Sequence, residues 1–155
     1  MPFLRARWRL LAGTAVALYA TAWLLPVALI RPVFPKNPTA QPDLLYAWQA
    51  VLVALAPALD PDRPASVAEA IAQVLSVASG LTNLLFVAVA AFLLLRRVAG
   101  MRTEVAVWVA VATNLVWLGT SAGELRVGYF FWAASFVVLA LAVRGRRQTP
   151  PATTR

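Results

Sequence analysis

Apolar residues fill four long stretches of this chain, and no charged residue interrupts any of them. The four stretches are Leu10–Ile30, Ala70–Leu95, Val105–Gly123 and Val127–Val143. A helix rises about 1.5 Å per residue, so about 20 residues cross the hydrocarbon core of a bilayer. Lipid offers a backbone amide no partner outside a helix, and none of the stretches alternates like a barrel strand. The pattern predicts an all-α, integral membrane four-helix bundle.

Capping residues and prolines set the predicted ends of the helices. Ser66-Val67-Ala68-Glu69 and Ser121-Ala122-Gly123-Glu124 both have the spacing of a capping box, and Pro26 predicts a kink in the first span. The predicted spans are 10–30, 67–98, 104–121 and 123–143. Residues 1–147 form a single membrane domain, and the cytoplasmic tail 148–155 is predicted to be disordered.

The first outer loop, 31–66, contains a fifth apolar run. A proline-rich segment opens the loop, and Asp43 after it is a suitable N-cap. We predict a short interfacial helix over 44–56, which lies either on the membrane surface or across the outer mouth of the bundle. A fifth span in its place is the alternative.

Positive charges predict the orientation of the spans. With four spans and the N-terminus inside, ten of the 14 lysines and arginines lie in the cytoplasm and four outside, whereas a fifth span gives nine against five. Because positive charge concentrates on the cytoplasmic side, we predict a multi-pass protein of the bacterial inner membrane with both termini cytoplasmic. A signal peptide cleaved at Ala20-Thr21-Ala22 is the alternative for the N-terminus, although the apolar run continues to Ile30.

Composition excludes several classes of function. With 61% hydrophobic and 13% charged residues, the chain lacks the polar surface of a water-soluble domain. It has no cysteine and no histidine, which removes thiolate chemistry and the commonest general base and metal ligand. We therefore expect no enzymatic activity, catalytic residue, metal or cofactor. The net charge of +8 reflects topology and contact with membrane lipids, and we expect no nucleic-acid binding.

Small and polar residues recur at helical spacing on three of the predicted spans. Such faces allow close helix packing with hydrogen bonds across the interface. The polar residues either serve this packing or line an intramembrane pocket for a headgroup, a quinone or a small solute. They are Gln73, Ser76 and Asn83 in the second span and Thr113 and Asn114 in the third, beside a small-residue ridge of Gly13, Ala17 and Thr21 in the first.

A group of aromatic residues opens the last predicted span. Tyr129, Phe131 and Trp132 follow Glu124 at the outer boundary of the membrane. Aromatic side chains at this depth are typical of the belt that anchors a span at the headgroup level. The alternative is a surface patch on which a helix of a partner protein docks.

Two segments carry a resemblance to known proteins. They are Gly80-Leu81-Thr82-Asn83-Leu84-Leu85, followed by a double arginine, and Val127-Gly128-Tyr129-Phe130-Phe131-Trp132-Ala133-Ala134-Ser135-Phe136. In these segments the chain resembles a loosely defined group of small bacterial inner-membrane proteins with four spans and no assigned activity. The resemblance implies a fold and no reaction.

The function expected from these features is non-enzymatic. We predict an accessory, assembly or interaction subunit of a bacterial inner-membrane system, which contacts membrane lipids and either another membrane protein or a second copy of itself. The alternative is a lipid- or small-solute-binding membrane protein, a carrier or channel as an oligomer, that uses Asn83 and Asn114.

Overall fold

The computed structural model describes residues 2–30, 43–59, 64–95 and 99–149, with side chains from Arg7 onward in the first range and without the side chain of Ile30. Within these ranges the chain is mostly helical, but a small sheet departs from the predicted all-α class. The elements are α1 (Pro2–Leu24), β1 (Pro26–Ile30), β2 (Asp43–Tyr46), α2 (Ala47–Leu59), α3 (Val67–Leu94), α4 (Met101–Thr120) and α5 (Val127–Arg147).

Helices α1 and α5 pack against each other in antiparallel orientation along their whole length. At one end Arg146 lies over the ring of Trp8, at 5.1 Å from its centroid. In the middle the rings of Tyr19 and Phe136 meet edge to face. At the other end a Cβ on Gly128 would lie 2.6 Å from the carbonyl oxygen of Pro26, so only glycine permits this approach.

The core joins all four long helices. Its largest fully buried apolar side chains are Phe86 and Leu93 of α3, Val107 of α4, and Phe136 and Leu139 of α5. From α1, Ala12, Ala15 and Ala22 are buried, whereas Gly13, Ala17 and Thr21 are exposed. The predicted small-residue ridge of α1 therefore faces outward, and the alanines on the opposite face make the contact.

The first predicted span is divided into a helix and a strand. Helical geometry is unfavourable for the residue before a proline, which here is Leu25. α1 therefore ends at Leu24 instead of kinking at Pro26. β1 then pairs antiparallel with β2, with Leu29 opposite Leu44. Leu125 forms an isolated bridge with Ala28 on the other side of β1. We call this side of the molecule the sheet end.

The sheet also explains why the last helix begins later than predicted. The amide of Leu29 donates to the carbonyl of Glu124, and the amide of Arg126 donates to the carbonyl of Val27. Glu124 ends a turn and Leu125 and Arg126 are extended as a result, so α5 covers 127–147 and not 123–143. The capping box predicted at Ser121 does not form the start of a helix.

Three further boundaries differ from the sequence prediction. Asp43 lies in β2 and does not cap a helix, so α2 covers 47–59 and not 44–56; the amide of Tyr46 is bound instead by the side chain of Gln49. α4 begins directly after Gly100 and not at 104. Gln148 caps α5 and Thr149 bonds the carbonyl of Gly145, so these two residues of the predicted disordered tail are ordered. Residues 31–42, 60–63, 96–98 and 150–155 of the predicted loop, second span and tail lie outside the described ranges.

The start of α3 is at Val67, as the capping residues predict. The Ser66 side chain accepts a hydrogen bond from the amide of Glu69 at 3.1 Å. The Glu69 carboxylate accepts from the amide of Ala65 at 2.6 Å, one residue before the expected amide of Ser66. One of the orphan amides of this helix end, that of Glu69, and the amide of Ala65 just before the cap are thus satisfied.

Three of the described helices are long and apolar enough to cross a membrane: α3, α4 and α5. α1 is not among them because it ends at Leu24. Its charge-free part, from Leu10, therefore has only 15 residues. α2, with 13 residues, is a shorter apolar helix that packs on α3, where Leu55 lies directly over Gly80.

Candidate functional site

Asn83, near the middle of α3, joins three helices through its side chain. Its Oδ1 accepts hydrogen bonds from the Tyr19 hydroxyl of α1 and from Nε1 of Trp132 of α5, both at 2.9 Å. Its Nδ2 donates to the carbonyl oxygens of Ser79 and Gly80 in its own helix, at 3.3 and 3.2 Å. A buried amide without partners would be strongly destabilising, and Asn83 has partners on both its oxygen and its nitrogen.

Asn114 of α4 is the centre of a second set of hydrogen bonds, to α3 and α5. Its Oδ1 accepts from the Ser79 hydroxyl at 2.9 Å, and its Nδ2 donates to the Thr82 hydroxyl at 3.2 Å. Its backbone carbonyl accepts from the Tyr129 hydroxyl at 2.5 Å. Because Ser79 also bonds Asn83 through its carbonyl, the two asparagines form one network, the asparagine network, which contacts all four long helices.

Stacked aromatic rings separate the asparagine network from the core towards the opposite end. Tyr19 and Phe86 stack with centroids 4.1 Å apart, and Phe136 packs edge to face on Phe86 at 5.0 Å and on Trp132 at 5.5 Å. These rings lower the local dielectric constant around the amides. A low dielectric strengthens each hydrogen bond and raises the free-energy cost of losing one.

A cavity of about 370 Å³ lies on the other side of the network, at the sheet end. Helix α2, the sheet, the middle of α3 and the ends of α4 and α5 line it, and it is partly open to its surroundings. Most of its surface is carbon, and polar side chains occur only at scattered positions. Its lining is Val27, Ala28, Leu29, Leu45, Ala47, Ala50, Val51, Val53, Ala54, Ser76, Ser79, Gly80, Asn83, Trp117, Ser121, Glu124, Leu125, Tyr129 and Trp132.

The predicted polar residues separate into two groups in the structure. Ser76 and Asn83 line the cavity, and Asn114 lies directly behind it, 1% exposed. Gln73 and Thr113 do not line it, and the Thr113 hydroxyl donates to the carbonyl of Val109 in its own helix. The two interpretations of Asn83, packing and pocket, therefore both describe it: its side-chain hydrogen bonds hold the helices together, and its surface forms part of the cavity wall.

The predicted partner patch does not exist as one exposed face. Tyr129 is 3% exposed, and Trp132 turns its Nε1 inward to Asn83. Phe131 is half-buried, and of the four residues only Glu124 is exposed. Glu124, Tyr129 and Trp132 line the cavity instead. The reason is that both aromatic polar atoms find buried acceptors on α3 and α4, which a position at the lipid surface would not supply.

Three members of the network escaped the sequence prediction: Tyr19, Ser79 and Thr82. Tyr19 lies on the buried face of α1 with Ala12, Ala15 and Ala22, and no sequence signal marks this face, because the opposite face is equally rich in small residues. Ser79 lies four residues before Asn83 and so shares its side of α3, and Thr82 lies three residues after Ser79, on the side that meets Asn114. Serine and threonine are common in membrane helices, so the presence of these two hydroxyls did not mark them as members of a network.

An ion pair at the end opposite the sheet joins α4 to α5. Arg147 Nε lies 2.7 Å from a carboxylate oxygen of Glu104, and Arg144 Nε lies 3.9 Å from the other. Arginines of three helices gather here, and we call this the basic end: Arg7, Arg9, Arg102, Arg144, Arg146 and Arg147. Over the described residues, no group of three or more acidic side chains is placed to hold a metal ion.

Comparison of the chain with protein-family models, with curated proteins and with solved structures finds no match. The resemblance to small four-span bacterial proteins therefore stays a prediction, and function has to be argued from the geometry of the cavity and the network.

Proposed function

We propose that this chain is a four-span membrane protein that binds a small amphipathic molecule, an apolar chain with a polar head, in the cavity at the sheet end. The observation that carries the proposal is the cavity itself. Its volume falls within the range of about 300–1,000 Å³ found for small-molecule sites, and such sites are mostly apolar with a few placed polar groups.

Binding rather than catalysis is supported by how two hydroxyls of the wall are used. The Ser79 hydroxyl donates to Asn114, and the Tyr129 hydroxyl donates to a backbone carbonyl. A nucleophile needs a base that accepts its proton, and these hydroxyls have amide and carbonyl acceptors instead. The energy of binding comes from burying the apolar chain, at about 25 cal/mol per Å² removed from water.

A test uses a long-chain fatty alcohol, which has an uncharged head, with a photoreactive diazirine on its chain, added to the purified protein. We expect the label on peptides from α2 and the middle of α3. Ala50→Phe fills the cavity, since Ala50 lies in its wall, whereas Ala56→Phe places the same ring on the exposed face of α2. Labelling should fall several-fold in the first variant and stay unchanged in the second. Equal labelling of both variants would refute the proposal.

Four spans are supported by the pairing of α1 with α5. The contacts from Trp8–Arg146 to Pro26–Gly128 follow about 18 residues of α5, or about 27 Å at the helical rise. If α5 crosses the membrane, α1 crosses the same layer beside it. The strand β1 then lies at the far boundary, where its amides pair with β2 and Glu124.

The basic end supports an orientation with both termini in the cytoplasm of a bacterium, in its inner membrane. Single-cysteine variants can test this directly because the chain has no cysteine of its own. A Cβ at Gly100 or at Gly123 meets nothing within 4 Å. In intact cells an impermeant maleimide should label Gly123→Cys, and it should label Gly100→Cys only after permeabilisation. The reverse pattern would contradict the orientation.

An accessory or assembly subunit is the second candidate function. The observation that favours it is the exposure of α4, which buries only 22% of its most apolar segment within this chain, whereas α3 and α5 bury 44%. In an accessory subunit, another membrane protein or a second copy of this chain would cover α4. In a protein that acts alone, lipid would cover it.

A further inference from the structure

We propose that the cavity selects a ligand whose apolar chain ends in an ammonium group. This inference deepens the proposed binding function and rests on it. The inference follows from a charged residue and three aromatic residues in the cavity wall. A site that only buried an apolar chain would not require these residues.

Among the described residues, Glu124 is the one charged residue in the wall of the cavity. The ion pairs between described residues involve Glu104, and none involves Glu124. The neighbouring Arg126 does not line the cavity, and its guanidinium donates to the carbonyl of Leu125. A carboxylate that forms no ion pair with any described residue, at the edge of an apolar cavity, attracts a cationic head more than a neutral or anionic one.

The position of Glu124 is fixed by the backbone. Its carbonyl accepts a hydrogen bond from the amide of Leu29 at 2.9 Å. Two residues later, the amide of Arg126 donates to the carbonyl of Val27 at 2.8 Å. The backbone of Glu124 is therefore held beside β1, which keeps its side chain at the rim of the cavity. The side chain is exposed, so the bound ammonium keeps part of its hydration.

Three aromatic residues, Trp117, Tyr129 and Trp132, line the same cavity. The hydroxyl of Tyr129 and the Nε1 of Trp132 are used in the asparagine network, so the parts of these two rings that reach the cavity are carbon. Ring faces attract ammonium groups, and aromatic residues around a cation are the usual means of recognising quaternary ammonium. Carboxylate and rings together thus prefer one sign of charge.

The test compares three diazirine probes with the same alkyl chain, one ending in trimethylammonium, one in a hydroxyl and one in sulfate. At low salt we expect the ammonium probe to label the cavity about five- to tenfold more than the alcohol, from one exposed ion pair plus a cation–π contact. The sulfate probe should label least.

Two variants assign the preference to residues. Glu124→Gln should lower the ratio of ammonium to alcohol labelling to about two, the part that the aromatic rings contribute. Asp43→Asn removes the same charge from an exposed site outside the cavity wall and should leave the ratio unchanged. Trp117→Leu should lower the ratio about twofold or more through the lost ring. Alcohol labelling serves as the measure of an intact cavity in every variant.

The outcomes separate this inference from the binding function on which it rests. Equal labelling by ammonium and alcohol in the unmodified protein would overturn ammonium selection and leave binding standing. Absence of cavity labelling by all three probes would overturn both. Competition identifies the source of the ammonium group: displacement by phosphatidylethanolamine in a phosphatidylglycerol bilayer supports a lipid headgroup, and displacement by a long-chain amine alone supports a free amphiphile.

Discussion

The hydrogen bond between Tyr19 and Asn83 offers the clearest test of the asparagine network. Asn83→Leu keeps the approximate volume of the side chain and removes the acceptor shared by Tyr19 and Trp132. Both donors are then left in surroundings that water does not reach easily. The change therefore probes the link of α3 to α1 and α5 together.

The expected magnitude follows from two interhelical hydrogen bonds. Such bonds contribute about 0.6 kcal/mol on average within membranes and at most about 1.7 kcal/mol. Asn83→Leu should lower the free energy of unfolding by about 1–3 kcal/mol, and Tyr19→Phe, which removes one of the two bonds, by about 0.6–1.7 kcal/mol. In the Asn83→Leu background, Tyr19→Phe should have almost no effect, because its hydroxyl no longer has that acceptor.

The assay is reversible unfolding in mixed lipid and dodecyl sulfate micelles, followed by helical circular dichroism. A double-mutant cycle should give a coupling energy of about 0.6–1.7 kcal/mol between Tyr19 and Asn83. Tyr46→Phe is the control, since Tyr46 is a partly exposed tyrosine of β2. Additive single effects, with no coupling, would refute the network as a stabilising element.

Three further predictions concern glycine packing, the ion pair and the helix cap. Gly128→Ala should lower the free energy of unfolding by about 1–3 kcal/mol, because the added Cβ meets backbone atoms of the segment after α1. Gly119→Ala, whose Cβ meets nothing within 4 Å, should be neutral or raise it by up to about 1 kcal/mol. Unfolding in mixed micelles measures both. Glu104→Gln should lower stability by about 1 kcal/mol or less at low salt, and high salt should reduce the difference, since the pair with Arg147 is partly exposed. Ser66→Ala should lower helix stability by about 1 kcal/mol, and hydrogen exchange should rise at the start of α3.

The long helices could be predicted because their signals are local. Ser66 and Glu69 mark the start of α3 within four residues, and charge-free runs mark the apolar lengths. The sheet could not be predicted in this way. β1 continues the apolar run of α1 without a polar break, and its strand geometry depends on Pro26 and on partners at 43–46 and 124–126, which are distant in sequence.

The buried face of α1 illustrates a second limit. The helix is apolar and rich in small residues on every side, so Gly13, Ala17 and Thr21 formed as plausible a contact face as Ala12, Ala15 and Ala22. Only the second set lies with Trp8 and Tyr19, whose polar or aromatic contacts with α3 and α5 fix the rotation of the helix. Periodicity alone carries no information on which of two small faces meets a partner.

The candidate site was predicted in its parts and not in its arrangement. Asn83, Ser76, Tyr129, Trp132 and Glu124 were all selected from the sequence, but they were assigned to two separate features. The structure brings them to one cavity because α5 begins late and turns Tyr129 and Trp132 towards the asparagines. The donors and acceptors that direct this rotation are on other helices, so the last span by itself does not reveal it.

The central claim is that the cavity at the sheet end holds a small amphipathic ligand. The most direct measurement is intact-complex mass spectrometry of the protein extracted with its native lipids in a membrane-preserving polymer. The account predicts one small apolar or amphipathic molecule retained by each protomer, lost in Ala50→Phe and kept in Ala56→Phe. A stoichiometric protein partner, with no small molecule retained by either variant or by the unmodified chain, would contradict the account and favour an accessory subunit.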